Sequence, residues 1–348
     1  MKEKIINVTG NGYCGSSAVT DYLRGFADIA SVNEDLEFTI LYDIDALDDL
    51  RHHLIENSIR FFSSDASIKR FRRYIRNICS PNSNWRRIYG DKMTEYTEEF
   101  LSHIVSLRWN GWWHFDVLNS RGLEKIVNFS LYPRINKVLR KLSLPLIPIL
   151  PKREMFLSNV SEDEFFLCAR EYISKLVDGI NMCNKSYVLL DQAMPANRIP
   201  KYMRYFADEV KNIVVIRDPR DIYMLIKTVY KSGDAWIPFG DVESFINYFK
   251  IIYTDCPRVS SEEVLVIRFE DMVYNYRESS EKINNFLGLK NNQMTQKIFD
   301  PEISVENTQL FNKDRTFAAD IKRIEDELSD WLYDFGRYSK KPSKKQYF

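Results

Sequence analysis

A glycine-rich segment near the start of the chain has the composition of a phosphate-binding loop. The apolar stretch 5–8 runs into Gly10-Asn11-Gly12-Tyr13-Cys14-Gly15-Ser16-Ser17, and apolar residues then recur with helical spacing to Phe26. Phosphate oxygens need several donors on one side, and a loop with little side-chain bulk can aim consecutive backbone N–H groups at them. The helix dipole adds positive potential at the same point. The sequence therefore predicts a strand, an anion-binding loop and a helix over 17–26.

The loop differs from the common nucleotide-binding loop at one position. Gly10 and Gly15 have the spacing of a P-loop and two hydroxyl residues follow, but Ser16 stands in place of the usual Lys. Ser16 and Ser17 supply hydroxyl donors, whereas the ammonium group that contacts the β- and γ-phosphates of ATP is missing. The spacing indicates phosphate binding, and the missing charge argues against ATP as the ligand.

Composition limits the classes of function. Lys plus Arg and Asp plus Glu number 49 each in 348 residues, so no overall field attracts nucleic acid and no such partner is expected. Five scattered cysteines include no Cys-x-x-Cys pair and four histidines no His-Glu-x-x-His, so we predict neither a disulfide framework nor a metal site. The cysteine usage, the short apolar N-terminal strand and the lack of a long apolar run predict a cytoplasmic protein without a transmembrane segment.

The order of apolar runs predicts an α/β fold. Short runs at 28–32, 187–190, 213–216 and 264–267 are typical of buried parallel strands. Helical patterns cover 197–206, 219–230 and 276–287, the last ending at Gly288. We therefore expect one P-loop-like α/β domain over 1–348, with a parallel sheet of about five strands covered by helices on both faces.

A helical insertion is predicted over 61–151. It contains a basic run from Lys69 to Arg87, an aromatic segment 109–116 and a proline-broken connector over 144–151. The basic run is typical of a solvated helix face, or it contacts an anionic glycan or lipid headgroup. The tryptophans either pack the insertion or stack on sugar rings. Beyond the connector, Ser161 and Glu164 predict a capping box for a helix reaching Cys183.

A second candidate for anion binding follows a later strand. The apolar run 213–216 ends at Arg217, and Asp218 and Pro219 are suited to cap and begin a helix. Ligands of open parallel sheets bind beyond the carboxyl ends of the strands, where both this Arg and the glycine loop are expected. A planar, always-charged guanidinium suits a phosphate. We therefore predict two separate anion pockets at one edge of the sheet.

Four segments in this order resemble the sulfotransferase family, whose members transfer a sulfuryl group from 3′-phosphoadenosine 5′-phosphosulfate to a hydroxyl or amine. They are the glycine loop, Leu190-Asp191-Gln192-Ala193-Met194-Pro195, Arg217-Asp218-Pro219-Arg220-Asp221, and the run 264–271 with the later Phe286-Leu287-Gly288-Leu289. The resemblance implies that nucleotide as the donor and 3′,5′-adenosine bisphosphate as the product. It implies that the loop holds the 5′-phosphosulfate, that Arg217 holds the 3′-phosphate, and that the polar loop 307–315 closes over the nucleotide. The implied nucleotide-binding residues are Gly10, Asn11, Gly12, Tyr13, Cys14, Gly15, Ser16, Ser17, Arg217, Lys313 and Arg315.

The sequence departs from the family pattern at three positions. Relatives carry Lys or Arg where Tyr13 stands, often a Ser where Leu225 stands, and in some cases a catalytic His where Ala193 stands. The missing cation could be supplied by Lys227, Lys313 or Arg315. For the general base, Asp191 at the end of a strand is the first candidate and His114 in the insertion the second.

The resemblance also implies a hydroxyl acceptor on a saccharide or glycolipid, with 61–151 as the candidate acceptor-binding region. Two alternatives stay open. A non-catalytic nucleotide-binding relative of the family would agree with Tyr13 and Ala193. A P-loop kinase or nucleotide hydrolase would use Asp191 and Ser17 with magnesium, but lacks the Lys that Ser16 replaces.

Overall fold

A computed structural model describes residues 4–32, 36–147, 153–228, 236–238, 240–290 and 294–338. The chain divides into two compact units. The first unit comprises residues 1–41 and 173–348, and the second unit comprises residues 42–172. The final residues predicted for the helix over 219–230 and the end of the proline-broken connector lie outside the described residues.

Strands of the described ranges occur in both units. They are β1 (Lys4–Gly10), β2 (Ile29–Ala30), β3 (Leu107–Gly111), β4 (Arg153–Leu157), β5 (Tyr187–Asp191), β6 (Val210–Ile216) and β7 (Val264–Arg268). All four runs predicted as later strands of the sheet, at 28–32, 187–190, 213–216 and 264–267, coincide with one of these elements.

Helices connect and cover the strands. In the first half of the chain they are α1 (Ser17–Arg24), α2 (Leu47–Arg51), α3 (Phe61–Ile78), α4 (Asn84–Tyr89), α5 (Lys92–Ile104), α6 (His114–Asn119), α7 (Gly122–Ile126) and α8 (Tyr132–Lys141). They continue with α9 (Glu162–Ile180), α10 (Ile199–Met203), α11 (Pro219–Thr228), α12 (Val242–Ile252), α13 (Phe269–Tyr274), α14 (Tyr276–Leu287), α15 (Pro301–Ser304) and α16 (Ala318–Glu327). The division between the units falls within α9.

The first unit is built on a five-stranded parallel sheet. Its strand order is β2-β5-β1-β6-β7, and every pair in it is parallel. Ile6 and Val8 of β1 contribute to a core that includes residues of α1, α13 and α14, while Ile5 and Thr9 at the alternate positions are buried as well. A sheet buried on both faces explains the uninterrupted apolar runs of its strands. The predicted α/β class with a parallel sheet of about five strands is confirmed.

Two asparagines lie opposite each other in the middle of this sheet. Asn7 of β1 and Asn212 of β6 are partners in the strand register, and both are fully buried. Nδ2 of Asn7 donates to Oδ1 of Asn212 over 3.0 Å, and Oδ1 of Asn7 accepts from the backbone N–H groups of Ala193 and Met194. A slip of one residue would bury these amides without partners, so the pair favours one register and holds the turn after β5.

The second unit contains a strand pair that was not predicted, because the sequence of this region indicated helices. Strand β3 pairs antiparallel with β4, Leu107 lying opposite Leu157 and Gly111 opposite Arg153. Most residues of β3 are exposed, so its sequence lacks the alternation that marks a half-buried strand. The remaining elements of 61–141 are helical, as predicted.

Helix ends follow local chemistry in three places. Ser161 and Glu164 form the predicted capping box, because Oγ of Ser161 accepts from the Glu164 N–H while Oε2 of Glu164 accepts from the Ser161 N–H. Helix α10 is shorter than predicted, since Tyr205 and Phe206 close it with N–H bonds to carbonyls three residues back. Helix α14 ends at Gly288, which has a φ of 74°.

Gly288 tests the role of this left-handed cap. Alanine there would meet only the Tyr187 hydroxyl, 3.9 Å away, so the cost of Gly288→Ala is conformational and we expect about 1 kcal/mol of lost stability. Gly240→Ala is the control, because its Cβ meets nothing within 4 Å and no positive φ is required. Urea unfolding followed by circular dichroism measures both. Equal stability of the two variants would contradict the assignment.

Candidate active site

The carboxyl ends of four parallel strands meet at one edge of the sheet. Gly10 at the end of β1 lies opposite Val215 of β6, and Val8 lies opposite Asp191 at the end of β5. Ile216 lies opposite Arg268 at the end of β7. The glycine loop, Asp191 and Arg217 therefore emerge on the same edge, which is where ligands of parallel sheets bind.

The glycine loop is tightly packed at the α-carbons and partly open to solvent. Gly15 has a φ of 81°, and a Cβ there would lie 2.5 Å from the ring of Phe269. A Cβ on Gly12 would lie 2.3 Å from the indole of Trp236, whose ring also stacks on Tyr13. Larger residues at Gly12 or Gly15 would therefore force the loop and these aromatic rings apart.

Backbone donors of this loop remain unused by the protein. Within the described ranges, the N–H groups of Gly12, Gly15 and Ser17 donate no hydrogen bond to another residue. Ser17 begins α1, so its N–H adds to the positive end of that helix dipole. Unused N–H groups in a glycine loop that precedes a helix are the donors with which such loops bind an oxyanion.

Gln192 supports the loop from the end of β5. Its Oε1 accepts from Oγ1 of Thr9 at 2.9 Å and from the Gly10 N–H at 3.4 Å, and its Nε2 donates to Oγ of Ser16 at 3.4 Å. Its backbone has a φ of 54°. The side-chain amide of Gln192 thus connects β1, before the glycines, to the Ser16 hydroxyl after them.

Cys14 serves packing in this loop. It is 2% exposed and belongs to the apolar core of the first unit. Burial raises the pKa of its thiol to about 11, although hydrogen bonds from Ser16 oppose the shift. A thiol with this pKa stays protonated at neutral pH, which argues against a nucleophilic role.

Arg217 is a buried cation without an ion pair among the described residues. Its side chain is 1% exposed. Its guanidinium donates to the carbonyl of Tyr13 at 3.1 Å and to the carbonyl of Asn307, and it lies 4.8 Å from the ring centroid of Phe269. Its Nε is buried with no hydrogen-bond partner. Removing a cation from water without a counter-charge is costly, so the position suits an anionic ligand.

Three buried carboxyl groups surround the start of α11. Asp218 accepts from the guanidinium of Arg220, and Oε1 of Glu270 accepts from the Asp218 N–H at 2.7 Å. Asp221 accepts from the N–H groups of Gln309 and Leu310. Burial, reinforced by the charge of Asp218, raises the pKa of Asp221 to about 7 and the pKa of Glu270 to about 8. Asp221 and Glu270 therefore organise the backbone around Arg217 while carrying little negative charge in weakly acidic solution.

The polar loop 307–315 is attached to this edge by its first residues. The Asn307 carbonyl accepts from Arg217. The N–H groups of Gln309 and Leu310 donate to the carboxyl group of Asp221. Nζ of Lys313 donates to the carbonyl of Glu306 at 2.9 Å, and burial lowers the pKa of its ammonium group. Arg315 is exposed.

The other predicted catalytic residues have the following places. Asp191 is half-buried at the end of β5, and its carbonyl accepts from the Phe38 N–H. Nζ of Lys227 donates to the carbonyl of Gly240 and lies over the rings of Tyr223 and Phe317.

His114 belongs to the second unit. Its ring contacts that of Trp113 at a centroid distance of 4.5 Å, and the indole of Trp113 donates to Asp65. The ring of Phe61 lies 5.4 Å from that of Trp113. Packing within the second unit therefore accounts for Trp113, whereas Trp112 is half exposed.

Four residues of the site escaped the sequence analysis as functional positions. They are Gln192, Trp236, Phe269 and Asn307. Gln192 and Phe269 lie within the family segments quoted above and directly follow β5 and β7. Ligands of parallel sheets bind beyond the strand ends, so this placement could have marked both residues as functional. Asn307 begins the polar loop 307–315 that the resemblance assigned to the nucleotide, but its contact with Arg217 was not predicted. Trp236 reaches the glycine loop through space, and no local pattern marks it.

Comparison with solved structures finds sulfotransferase domains. The sulfotransferase domain from the Synechococcus PCC 7002 olefin synthase is 12% identical, with 91% of this chain and 94% of that chain covered and a TM-score of 0.38. The sulfotransferase domain from the curacin biosynthetic pathway is 13% identical, with 95% of this chain and 98% of that chain covered and a TM-score of 0.34. No family model and no curated protein matches the sequence. No helix in the described part of the chain combines the length and apolar character needed to cross a membrane.

Glu270 makes stability depend on pH. Its pKa is raised from 4.5 to about 8 by folding, so the folded state holds a proton that the unfolded chain releases, and stability should fall as pH rises through this window. Glu270→Gln keeps the acceptor for the Asp218 N–H but cannot titrate. We expect a shallower loss of unfolding free energy from about pH 5 to 8, by up to about 1.4 kcal/mol per pH unit.

Urea unfolding over a pH series measures this slope. The matched control is Glu278→Gln, because Glu278 is an exposed carboxylate on α14. The same slope in wild type and Glu270→Gln would show that Glu270 does not hold a proton in the folded state.

Proposed function

We propose that the chain transfers a sulfuryl group from 3′-phosphoadenosine 5′-phosphosulfate to a hydroxyl of a saccharide or glycolipid. The observation that carries the proposal is the buried, ion-pair-free Arg217 at the same sheet edge as the unused N–H groups of the glycine loop. A donor with a 3′-phosphate and a 5′-phosphosulfate presents two separated anionic groups. ATP carries its phosphates in one chain and has no 3′-phosphate to pair with Arg217.

The residues present fit this donor in two respects. The loop is held so close to Phe269 and Trp236 that only glycine is compatible at Gly15 and Gly12, which leaves main-chain donors accessible to an oxyanion. Beyond β6, Nε of Arg217 is a buried donor with no acceptor in the described residues. A phosphate there would satisfy both the hydrogen-bonding capacity and the charge of the guanidinium.

The proposed roles follow from these positions. When bound, the donor supplies an activated sulfuryl group. The N–H groups of Gly12, Gly15 and Ser17 and the hydroxyls of Ser16 and Ser17 hold the 5′-phosphosulfate, while Arg217 holds the 3′-phosphate. Gln192 fixes the loop geometry, since it contacts the residues before and after the glycines. Asp191, at the end of β5, is proposed to take the proton of the acceptor hydroxyl.

The two lysines considered as the missing cation, Lys227 and Lys313, both donate to backbone carbonyls. Lys227 donates to Gly240, and Lys313 donates to Glu306. Tyr13 stands where relatives place a cation that stabilises charge on the departing oxygen. These observations favour a second candidate function, a non-catalytic protein that binds the nucleotide. The segment 61–151 remains the candidate for acceptor recognition in the catalytic alternative.

Arg217 tests the donor assignment. Arg217→Gln should weaken 3′,5′-adenosine bisphosphate binding by at least about 30-fold, because a buried charge-assisted contact worth about 2 kcal/mol is lost. Adenosine 5′-monophosphate lacks the 3′-phosphate, so its affinity should change far less. Isothermal titration calorimetry measures both affinities, and Arg258→Gln, an exposed arginine in the same unit, is the control.

Two results would contradict this assignment. Equal weakening of both nucleotides would remove the 3′-phosphate role of Arg217. Stronger thermal stabilisation of wild type by ATP with magnesium than by adenosine bisphosphate would favour the kinase or hydrolase alternative instead.

Tyr13 tests catalytic competence. Tyr13→Lys places a cation in the loop, where it can stabilise charge on the departing oxygen. We therefore expect the rate at which 3′,5′-adenosine bisphosphate forms with a panel of saccharide acceptors to rise about tenfold or more. Tyr13→Phe controls for loss of the hydroxyl. Unaltered nucleotide affinity with no turnover in wild type or Tyr13→Lys would reject the enzyme and support the binding protein.

A further inference from the structure

The second unit contains a cavity with a strongly basic lining. Its volume is about 570 Å³, within the range of small-molecule sites. Six cationic side chains line it, against three carboxylates from Glu98, Asp116 and Glu154. The cations are Lys69, Arg70, Arg72, Arg73, Arg76 and Arg153.

Helix α3 supplies most of this charge from one face. Lys69, Arg72, Arg73 and Arg76 are spaced three and four residues apart, so their side chains share one side of the helix. Like charges at this spacing repel one another and destabilise a helix. Neighbouring carboxylates or a bound anion would offset this repulsion within the basic stripe of Lys69, Arg72, Arg73 and Arg76.

Carboxylates compensate one end of the stripe. Nζ of Lys69 lies 2.8 Å from both Asp65 and Asp116. Arg72 pairs with Glu98 and with Glu154, the latter at 2.7 Å. These two cations are therefore neutralised by the protein itself.

The other end of the stripe carries excess positive charge. Arg76 makes no ion pair with any described residue. Arg73 has one contact of 3.5 Å, to Asp45, and that carboxylate lies closer to Arg70, at 2.9 Å. Arg76 thus has no carboxylate partner among the described residues, and Arg73, one turn away, has only a long contact with a shared carboxylate. Arginine suits phosphate or sulfate because its guanidinium can donate two parallel hydrogen bonds.

The rest of the cavity lining suits a molecule the size of a sugar ring. Phe115, Phe156 and Ile75 provide apolar surface, while Thr94 and Asn119 add hydroxyl and amide groups. Apolar faces beside hydrogen-bonding groups are typical of sites that bind sugars.

We propose that this cavity binds a small saccharide that carries a phosphate or sulfate monoester, with the ester anion held by Arg73 and Arg76. The inference uses residues of the second unit alone, and none of them belongs to the proposed donor site at the glycine loop and Arg217. The shared chemistry is a tetrahedral dianion on a sugar-sized molecule.

Titration calorimetry with three probes tests the proposal on the full chain. Glucose 6-phosphate should bind, and glucose should bind at least tenfold more weakly. Arg73→Gln/Arg76→Gln should weaken glucose 6-phosphate binding at least tenfold. The matched control is Lys137→Gln/Arg140→Gln, which removes two exposed cations from α8 of the same unit and should leave the affinity unchanged.

Each other outcome counts against the proposal. Absence of glucose 6-phosphate binding, or equal loss in the two double variants, would reject the cavity as the site. If inorganic phosphate bound as tightly as glucose 6-phosphate, the sugar would contribute nothing to affinity, and the saccharide part of the proposal would be rejected. Because the glycine loop is intact in both double variants, binding there cannot produce a difference between them.

Discussion

Arg217 is a positive charge held almost wholly out of water, and the elements at the sheet edge are organised around it. Two backbone carbonyls and the face of Phe269 offset part of the desolvation cost, but no described carboxylate forms an ion pair with it. The Tyr13 carbonyl connects this charge to the glycine loop, and the Asn307 carbonyl connects it to the later polar loop. An anion binding here would therefore order two loops that are nearly 300 residues apart in sequence.

The neighbouring acids preserve this positive potential. Asp218 is satisfied by Arg220, while Asp221 and Glu270 accept backbone N–H groups and have raised pKa values. A protonated carboxyl accepts hydrogen bonds without cancelling a nearby cation, so these groups can shape the backbone and still leave Arg217 attractive to phosphate. The raised pKa values and the ion-pair-free guanidinium are thus two consequences of the same burial.

Much of the first unit could be predicted from local patterns, because buried parallel strands and well-formed helix ends leave direct traces in sequence. The glycine loop, Arg217 after β6 and the stop at Gly288 are of this kind. Strand β3 could not be predicted, since its exposed residues show no periodicity. The Arg217–Asn307 contact and the Trp236–Gly12 packing also could not, because they join segments that only the folded sheet brings together.

The sheet order has a consequence for biosynthesis. Strand β1 is made first, yet its two neighbours, β5 and β6, begin at Tyr187 and Val210. At ribosomal speeds of about 5–20 residues per second, the nascent β1 waits on the order of 10–40 seconds before both partners exist. During that interval the backbone N–H and C=O groups along both edges of β1 have no neighbouring strand of the sheet, which leaves them open to pairing with other chains.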